Sequence, residues 1–207
     1  MGNPVRLGFV LSEHSGGLQP ERVERYRRAE NRLASLAAAT VRVVHYTHVE
    51  AVDFDAIVLS GSYDPWSSHD PVSLDRLSES LRAYDGPVLG ICAGMQTLVR
   101  AAGGEISTAV RPTEEGFAAI DVVDGSDLLR GLEPRVEVFQ HHSDEISRLP
   151  DTFRVLASSE SCAVEAVAAK DQPWWGTQFH PEEWRAEQPA GRAVLENFLR
   201  LAGIGVR

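Results

Sequence analysis

Two short stretches of this chain place reactive side chains in a catalytic pattern. The first is Pro87-Val88-Leu89-Gly90-Ile91-Cys92-Ala93-Gly94-Met95-Gln96, an apolar run that passes through Gly-x-Cys-x-Gly into helix-forming residues. This is the cysteine form of a nucleophile elbow. Small residues permit a sharp strand-to-helix turn, which leaves Cys92 at a helix N-terminus where the dipole favours its thiolate. The backbone N–H of Ala93 then points to where an oxyanion develops. Alone, the motif also fits a small apolar side chain buried behind a tight turn, so a base must be sought elsewhere. The second stretch, Trp175-Gly176-Thr177-Gln178-Phe179-His180-Pro181-Glu182, supplies one. A strand ends at Phe179, His180 projects from its end, and Pro181 turns the chain so that Glu182 can reach back to the imidazole. A carboxylate on one ring nitrogen fixes the tautomer and leaves the other nitrogen for the thiol. Cys92, His180 and Glu182 are the candidate catalytic residues.

The remaining chemistry-bearing residues read more plainly. His14, His45, His48 and His69 have no signature around them and are expected solvated or in loops. In His141-His142-Ser143-Asp144 the adjacent histidines point in opposite directions at a strand end, so no metal site is expected. Cys162 reads as an inert buried thiol. Trp174-Trp175 reads as one core ring and one surface ring.

The elements that must position the cysteine and histidine alternate along the first half. Val5 to Leu11, Val41 to Tyr46, Ala56 to Ser60 and Pro87 to Ile91 are apolar runs of strand length. Between them, residues from Glu21 to Ala39, Ser73 to Tyr84 and Gly94 to Ala102 carry helical spacing. After about residue 105 the pattern changes to Phe117–Val123, Arg135–Gln140, Arg154–Leu156, Ala163–Ala169 and Trp174–Phe179, all strand-like, before a closing helix from Ala190 to Leu201. The expected fold is α/β: a flavodoxin-like three-layer sandwich with a mostly parallel central sheet and an antiparallel addition in the second half. No linker or repeat interrupts it, so residues 1–207 are expected to form a single domain.

Composition narrows the function classes. The 207 residues carry 20 basic and 30 acidic side chains, a net charge of −10, which disfavours a nucleic-acid partner. Lys170 is the only lysine, and Ala169-Lys170-Asp171-Gln172-Pro173 is a turn without a glycine-rich loop, so nucleotide activation by this chain is not expected. Two cysteines are too few for a disulfide framework. The N-terminus lacks an apolar signal core and no run of 18 apolar residues exists, so a cytoplasmic chain without a membrane span is expected.

At this point the chain resembles the class I (triad-type) glutamine amidotransferase domain, of the kind found in GMP synthase-like enzymes. The likeness runs from about Val41 to Leu201. Asp53 to Gly61 resembles the strand that leads to the family's oxyanion loop, and Gly90 to Gln96 its nucleophile motif. Glu115-Gly116, His142-Ser143-Asp144 and Gln178-Phe179-His180-Pro181-Glu182 follow in the family's order. The resemblance implies that Cys92 attacks the side-chain amide of glutamine, with His180 as proton carrier and Glu182 orienting it. It also implies an oxyanion hole from the N–H groups of Gly61 and Ala93, and substrate contacts at Gln96, Ser143 and His142. No cofactor is implied. Three features depart from the family pattern: Ser62 stands where a second glycine is usual, Ser62 to Pro71 is aromatic and acidic, and Ser12 to Pro20 is long.

The leading expectation is a glutaminase subunit that passes ammonia to a separate synthetase or synthase, since the chain ends at Arg207 without an acceptor domain. The alternatives are a partner-independent γ-glutamyl peptide or amine hydrolase, and a catalytically silent regulatory or binding subunit. The DJ-1-like hydrolases usually have His after the nucleophile, where this chain has Ala93.

Overall fold

The computed structural model describes residues 5–49, 54–111 and 115–207, apart from the Ser15 side chain. Residues 1–4, and Asp53 of the expected oxyanion-loop strand, lie outside them. Among the described residues, eleven strands and four α-helices follow in the order β1 (Arg6–Leu11), α1 (Pro20–Leu36), β2 (Thr40–His45), β3 (Ala56–Leu59), α2 (Pro71–Arg82), β4 (Val88–Ile91), α3 (Ala93–Ala101), β5 (Glu105–Thr108), β6 (Gly116–Val122), β7 (Arg135–Gln140), β8 (Asp144–Arg148), β9 (Phe153–Ser158), β10 (Ala166–Ala169), β11 (Trp174–Thr177) and α4 (Ala190–Leu201).

Nine strands form one sheet in the order β2-β1-β3-β4-β11-β10-β9-β6-β7. Pairing is parallel from β2 to β11 and antiparallel from β11 to β7. Side chains alternate across the parallel strands and build a core on each face. Leu7, Phe9, Ala56, Val58, Leu89 and Ile91 face one core with residues of α1 and α4. Val10, Ile57, Leu59 and Val88 face the other with residues of α2 and α3. The expected three-layer α/β architecture is therefore the one observed. Proline opens α1 and α2, and Asp70 caps α2 by accepting from the Ser73 N–H at 3.0 Å.

Four details depart from the sequence reading. Strands β5 and β8 pair as a separate two-stranded sheet and were not expected, because each carries a single apolar residue, Ile106 and Ile146, which oppose each other. Helix α1 stops at Leu36 and not Ala39, since Ala37 is extended and bridges Val206. Both Trp174 and Trp175 are buried, each in the core on its own face of β11. His45, expected solvated or in a loop, instead ends β2, with Nε2 2.7 Å from the Glu13 carbonyl oxygen.

The parallel pairing has one functional consequence. It brings the carboxyl ends of β1, β3, β4 and β11 to the same edge of the sheet, which is where open α/β sheets place their sites.

Candidate active site

At that edge, Gly90 and Ile91 of β4 pair with Gly176 and Thr177 of β11, so the chain segments that follow each strand leave side by side. Cys92 leaves β4 with φ 51° and ψ −110°, a backbone conformation that non-glycine residues rarely adopt. Such strain costs about 1–3 kcal/mol and must be held by its surroundings. Here Cys92 N–H donates to the Thr177 carbonyl at 2.7 Å, and Gln96 N–H donates to the Cys92 carbonyl at 3.1 Å. Close approach does the rest: a Cβ on Gly94 would lie 2.5 Å from the Leu59 carbonyl oxygen, so only glycine lets α3 sit this near β3. Cys92 is left 5% exposed at the N-terminus of α3, where the Ala93 N–H has no acceptor within the helix.

Two residues past β11, the chain turns at Phe179 and the His180 N–H donates to the Phe139 carbonyl at 2.8 Å. A single helical turn, Pro181–Glu183, swings the Glu182 carboxylate back, and its Oε1 lies 2.8 Å from His180 Nδ1. The proton on Nδ1 therefore goes to Glu182, and Nε2 faces the Cys92 side, 3.3 Å from the His141 carbonyl oxygen. Burial opposes a charge on His180. The Glu182 carboxylate and the Cys92 sulfur outweigh it and hold the ring well above the ordinary histidine pKa.

Gly61 follows β3 and packs against both groups: a Cβ there would meet His180 Cε1 at 2.8 Å and Cys92 Cβ at 3.4 Å. Its carbonyl oxygen accepts from Ser60 Oγ at 2.8 Å and from the Tyr26 hydroxyl at 3.2 Å, which fixes the following peptide. The loop beyond is wrapped around Glu13, a fully buried carboxylate at the end of β1. Glu13 Oε1 accepts from Ser62 Oγ at 2.9 Å and Oε2 from the Tyr63 N–H at 2.8 Å. Asp64 ties back to His14 at 2.7 Å and to Arg22 at 2.8 Å. Ser62 is therefore a donor to Glu13.

A cleft of about 280 Å³ opens over Cys92, lined among others by Ala93, Tyr63, Trp66, Gln96, His142 and Ser143. Gln96, His142 and Ser143, the three residues named for substrate contact, all line it. Ser143 is exposed at its rim. His142 is buried, and burial followed by the charges of His180 and His141 lowers its pKa to about 4, so it stays neutral. Gln96 is 2% exposed with its carboxamide engaged by Trp66 Nε1, the Asp144 carbonyl and Gln178. Sequence reading missed Glu13, Trp66 and the side chain of Gln178, whose Nε2 donates to Cys92 Sγ at 3.6 Å. The signals available were a charged residue directly after an apolar strand, and a glutamine inside the histidine motif.

The family model for class-I glutamine amidotransferase matches residues 26–202. A glutamine-hydrolysing GMP synthase subunit from Sulfolobus acidocaldarius is 36% identical over 155 residues, 73% of this chain and 79% of that protein. The subunit of the same name from Natronomonas pharaonis is 38% identical over 170 residues, 80% and 85% of the two chains. Among solved structures, a putative GMP synthase subunit from Thermoplasma acidophilum superposes with a TM-score of 0.81 at 26% identity, covering 98% of this chain and 96% of that one. A glutamine amidotransferase from Thermotoga maritima shares the fold, with a TM-score of 0.72 at 18% identity over 97% and 99% of the two chains. With the matched family model spanning the Cys92 elbow, the Gly61 loop and the His180 turn alike, the chain belongs to the class I glutamine amidotransferase family.

Proposed function

We propose that this protein is a glutaminase subunit in which Cys92, His180 and Glu182 form the catalytic triad, and that it feeds ammonia to a separate synthetase subunit. The observation that carries the reading is the strained elbow that holds Cys92 beside a histidine bound 2.8 Å from its own carboxylate. His180 takes the Cys92 thiol proton, and Cys92 Sγ attacks the side-chain amide carbon of glutamine. The oxyanion is held by the N–H groups of Gly61 and Ala93. His180 passes its proton to the departing ammonia, with Glu182 orienting the ring, and leaves a γ-glutamyl thioester on Cys92. Water, deprotonated by the now neutral His180, hydrolyses the thioester to glutamate.

A cleft of about 280 Å³ suits a single free amino acid. Gln96 Oε1 accepts one hydrogen bond from Trp66, and its second lone pair is available to a substrate ammonium group. Ser143 offers backbone contacts at the rim, and neutral His142 lines the cleft without adding charge to it. No cofactor enters these steps. One domain, residues 1–207, supplies every group, and no helix among the described residues is long and apolar enough to cross a membrane. We place the enzyme in the cytoplasm.

The relatives are named as subunits of glutamine-hydrolysing GMP synthase, so the first partner to test is a GMP-synthase synthetase subunit. The experiment measures glutamate release from glutamine with and without that subunit, beside a panel of γ-glutamyl amines. Weak basal glutaminase activity that rises when the subunit is added is the expected result. Rapid turnover of γ-glutamyl amines by the chain alone, with no response to the subunit, would refute the proposal in favour of a hydrolase.

A further inference from the structure

A chain of hydrogen bonds runs from the loop after β3 to the nucleophile. Trp66 Nε1 donates to Gln96 Oε1 at 2.9 Å, Gln96 Nε2 donates to Gln178 Oε1 at 3.2 Å, and Gln178 Nε2 donates to Cys92 Sγ at 3.6 Å. Its direction is set at Gln96, by a pure donor on one side and a pure acceptor on the other. An indole N–H only donates, so Gln96 must turn its oxygen to Trp66 and its nitrogen to Gln178 and to the Asp144 carbonyl, 2.8 Å away. Gln178 must then offer its oxygen to Gln96 and its nitrogen to the sulfur. Gln96 is 2% exposed and Gln178 is fully buried, so solvent does not reset either amide. Without the indole, only the Asp144 carbonyl would hold the Gln96 amide in this orientation, and a turn of both amides, which would present the Gln178 carbonyl oxygen to the thiolate, would cost less.

We propose that Trp66 is a positioning residue for the nucleophile, acting on the Cys92 sulfur through the ordered amides of Gln96 and Gln178. Trp66 is itself held by packing: the Arg100 guanidinium lies over its ring at 5.1 Å and the His69 ring is 5.4 Å away. The loop that carries Trp66 also carries Ser62, Tyr63 and Asp64, so one segment shapes the oxyanion side of the site and orders the donor on its sulfur side. The inference rests on the reading of Cys92 as the nucleophile.

The test reads the thiolate without glutamine. Alkylation of Cys92 by iodoacetamide is followed against pH, with the modified peptide quantified by mass spectrometry. The proteins compared are the wild type, Trp66→Phe, Gln178→Met and the double variant. Phenylalanine keeps a ring under Arg100 and removes only the N–H. Gln178→Met should raise the alkylation midpoint by about one pH unit, since a hydrogen bond to a charged group is lost. Trp66→Phe should raise it by about half a unit. The double variant should match Gln178→Met alone, because a relay cut near the sulfur no longer feels its far end. If Gln178→Met fails to fold, the half-buried Trp66→Phe still decides the matter. An unchanged profile in Trp66→Phe, or shifts that add in the double variant, would overturn the relay. A Cys92→Ala protein that still hydrolyses glutamine would overturn the nucleophile assignment instead, and leave the alkylation result standing.

Discussion

Replacing His142 with glutamine should remove a specific acid sensitivity of the fold. His142 is 5% exposed, and its pKa falls from 6.5 to about 4 because burial, then the neighbouring His180 and His141, penalise its charge. The folded value is lower than the unfolded one, so the native state binds fewer protons. The stability that His142 contributes is present above pH 6.5 and is lost progressively as the pH falls toward 4. At pH 5 nearly every unfolded chain carries this proton and few native molecules do, which favours unfolding by about 2 kcal/mol relative to pH 7.5. The full loss below pH 4 is about 3 kcal/mol. His180 titrates with the opposite sign, since its pKa is raised, so the wild-type profile alone is a poor readout. The difference between wild type and His142→Gln isolates the one group, and glutamine keeps a polar side chain there without titrating. Urea unfolding of both proteins at pH 7.5 and 5.0 should show the gap moving by about 2 kcal/mol in favour of the variant. A gap that stays within about 0.5 kcal/mol would refute the account of His142 as a buried neutral imidazole.

Three further outcomes follow from the same geometry. Cys92→Ala should lower glutaminase kcat by about four orders of magnitude or more. Cys162→Ala should stay close to wild type, because Cys162 is 2% exposed and burial pushes its thiol up to about 12; equal losses in the two variants would contradict the assignment. Gly61→Ala should fold normally yet lose about 100-fold in kcat, since the new Cβ would stand 2.8 Å from His180 Cε1 and displace the ring. Steady-state kinetics within twofold of wild type would rule this out. Glu165 is fully buried and burial raises its carboxyl pKa, so its favourable contribution is present below about pH 4.5 and is lost as the pH rises through the raised value. Glu165→Gln should therefore gain in Tm over wild type between pH 4.5 and 8, and a gain that does not grow with pH would count against it.

What could be read from the sequence was chemistry carried within a few residues. The elbow needs Gly90, Cys92 and Gly94 close together, and the histidine needs Glu182 two positions on, so both were legible and both have the expected geometry. The parallel sheet was legible because strands buried on both faces read as unbroken apolar runs. The β5–β8 pair was not, since a strand with one apolar residue has no period to detect.

Glu13, Trp66 and Gln178 escaped for a different reason. Glu13 meets Ser62 across 49 positions, Trp66 meets Gln96 across 30, and Gln178 meets Cys92 across 86, and no local pattern encodes such pairings. Those long-range contacts also account for two of the departures that the resemblance implies, Ser62 and the long Ser12–Pro20 segment. A serine where the resemblance implies a second glycine takes conformational freedom from the loop after β3. Its hydroxyl, however, donates to a carboxylate that the Ser12–Pro20 segment carries into the core. The Tyr63 N–H joins it on the same carboxylate, and His14 and Arg22 close the segment over Asp64. The long segment and the serine are two halves of one brace. It fixes by hydrogen bonds and ion pairs a loop that glycine would leave free, and it holds Gly61 against His180 and Cys92 before any substrate binds.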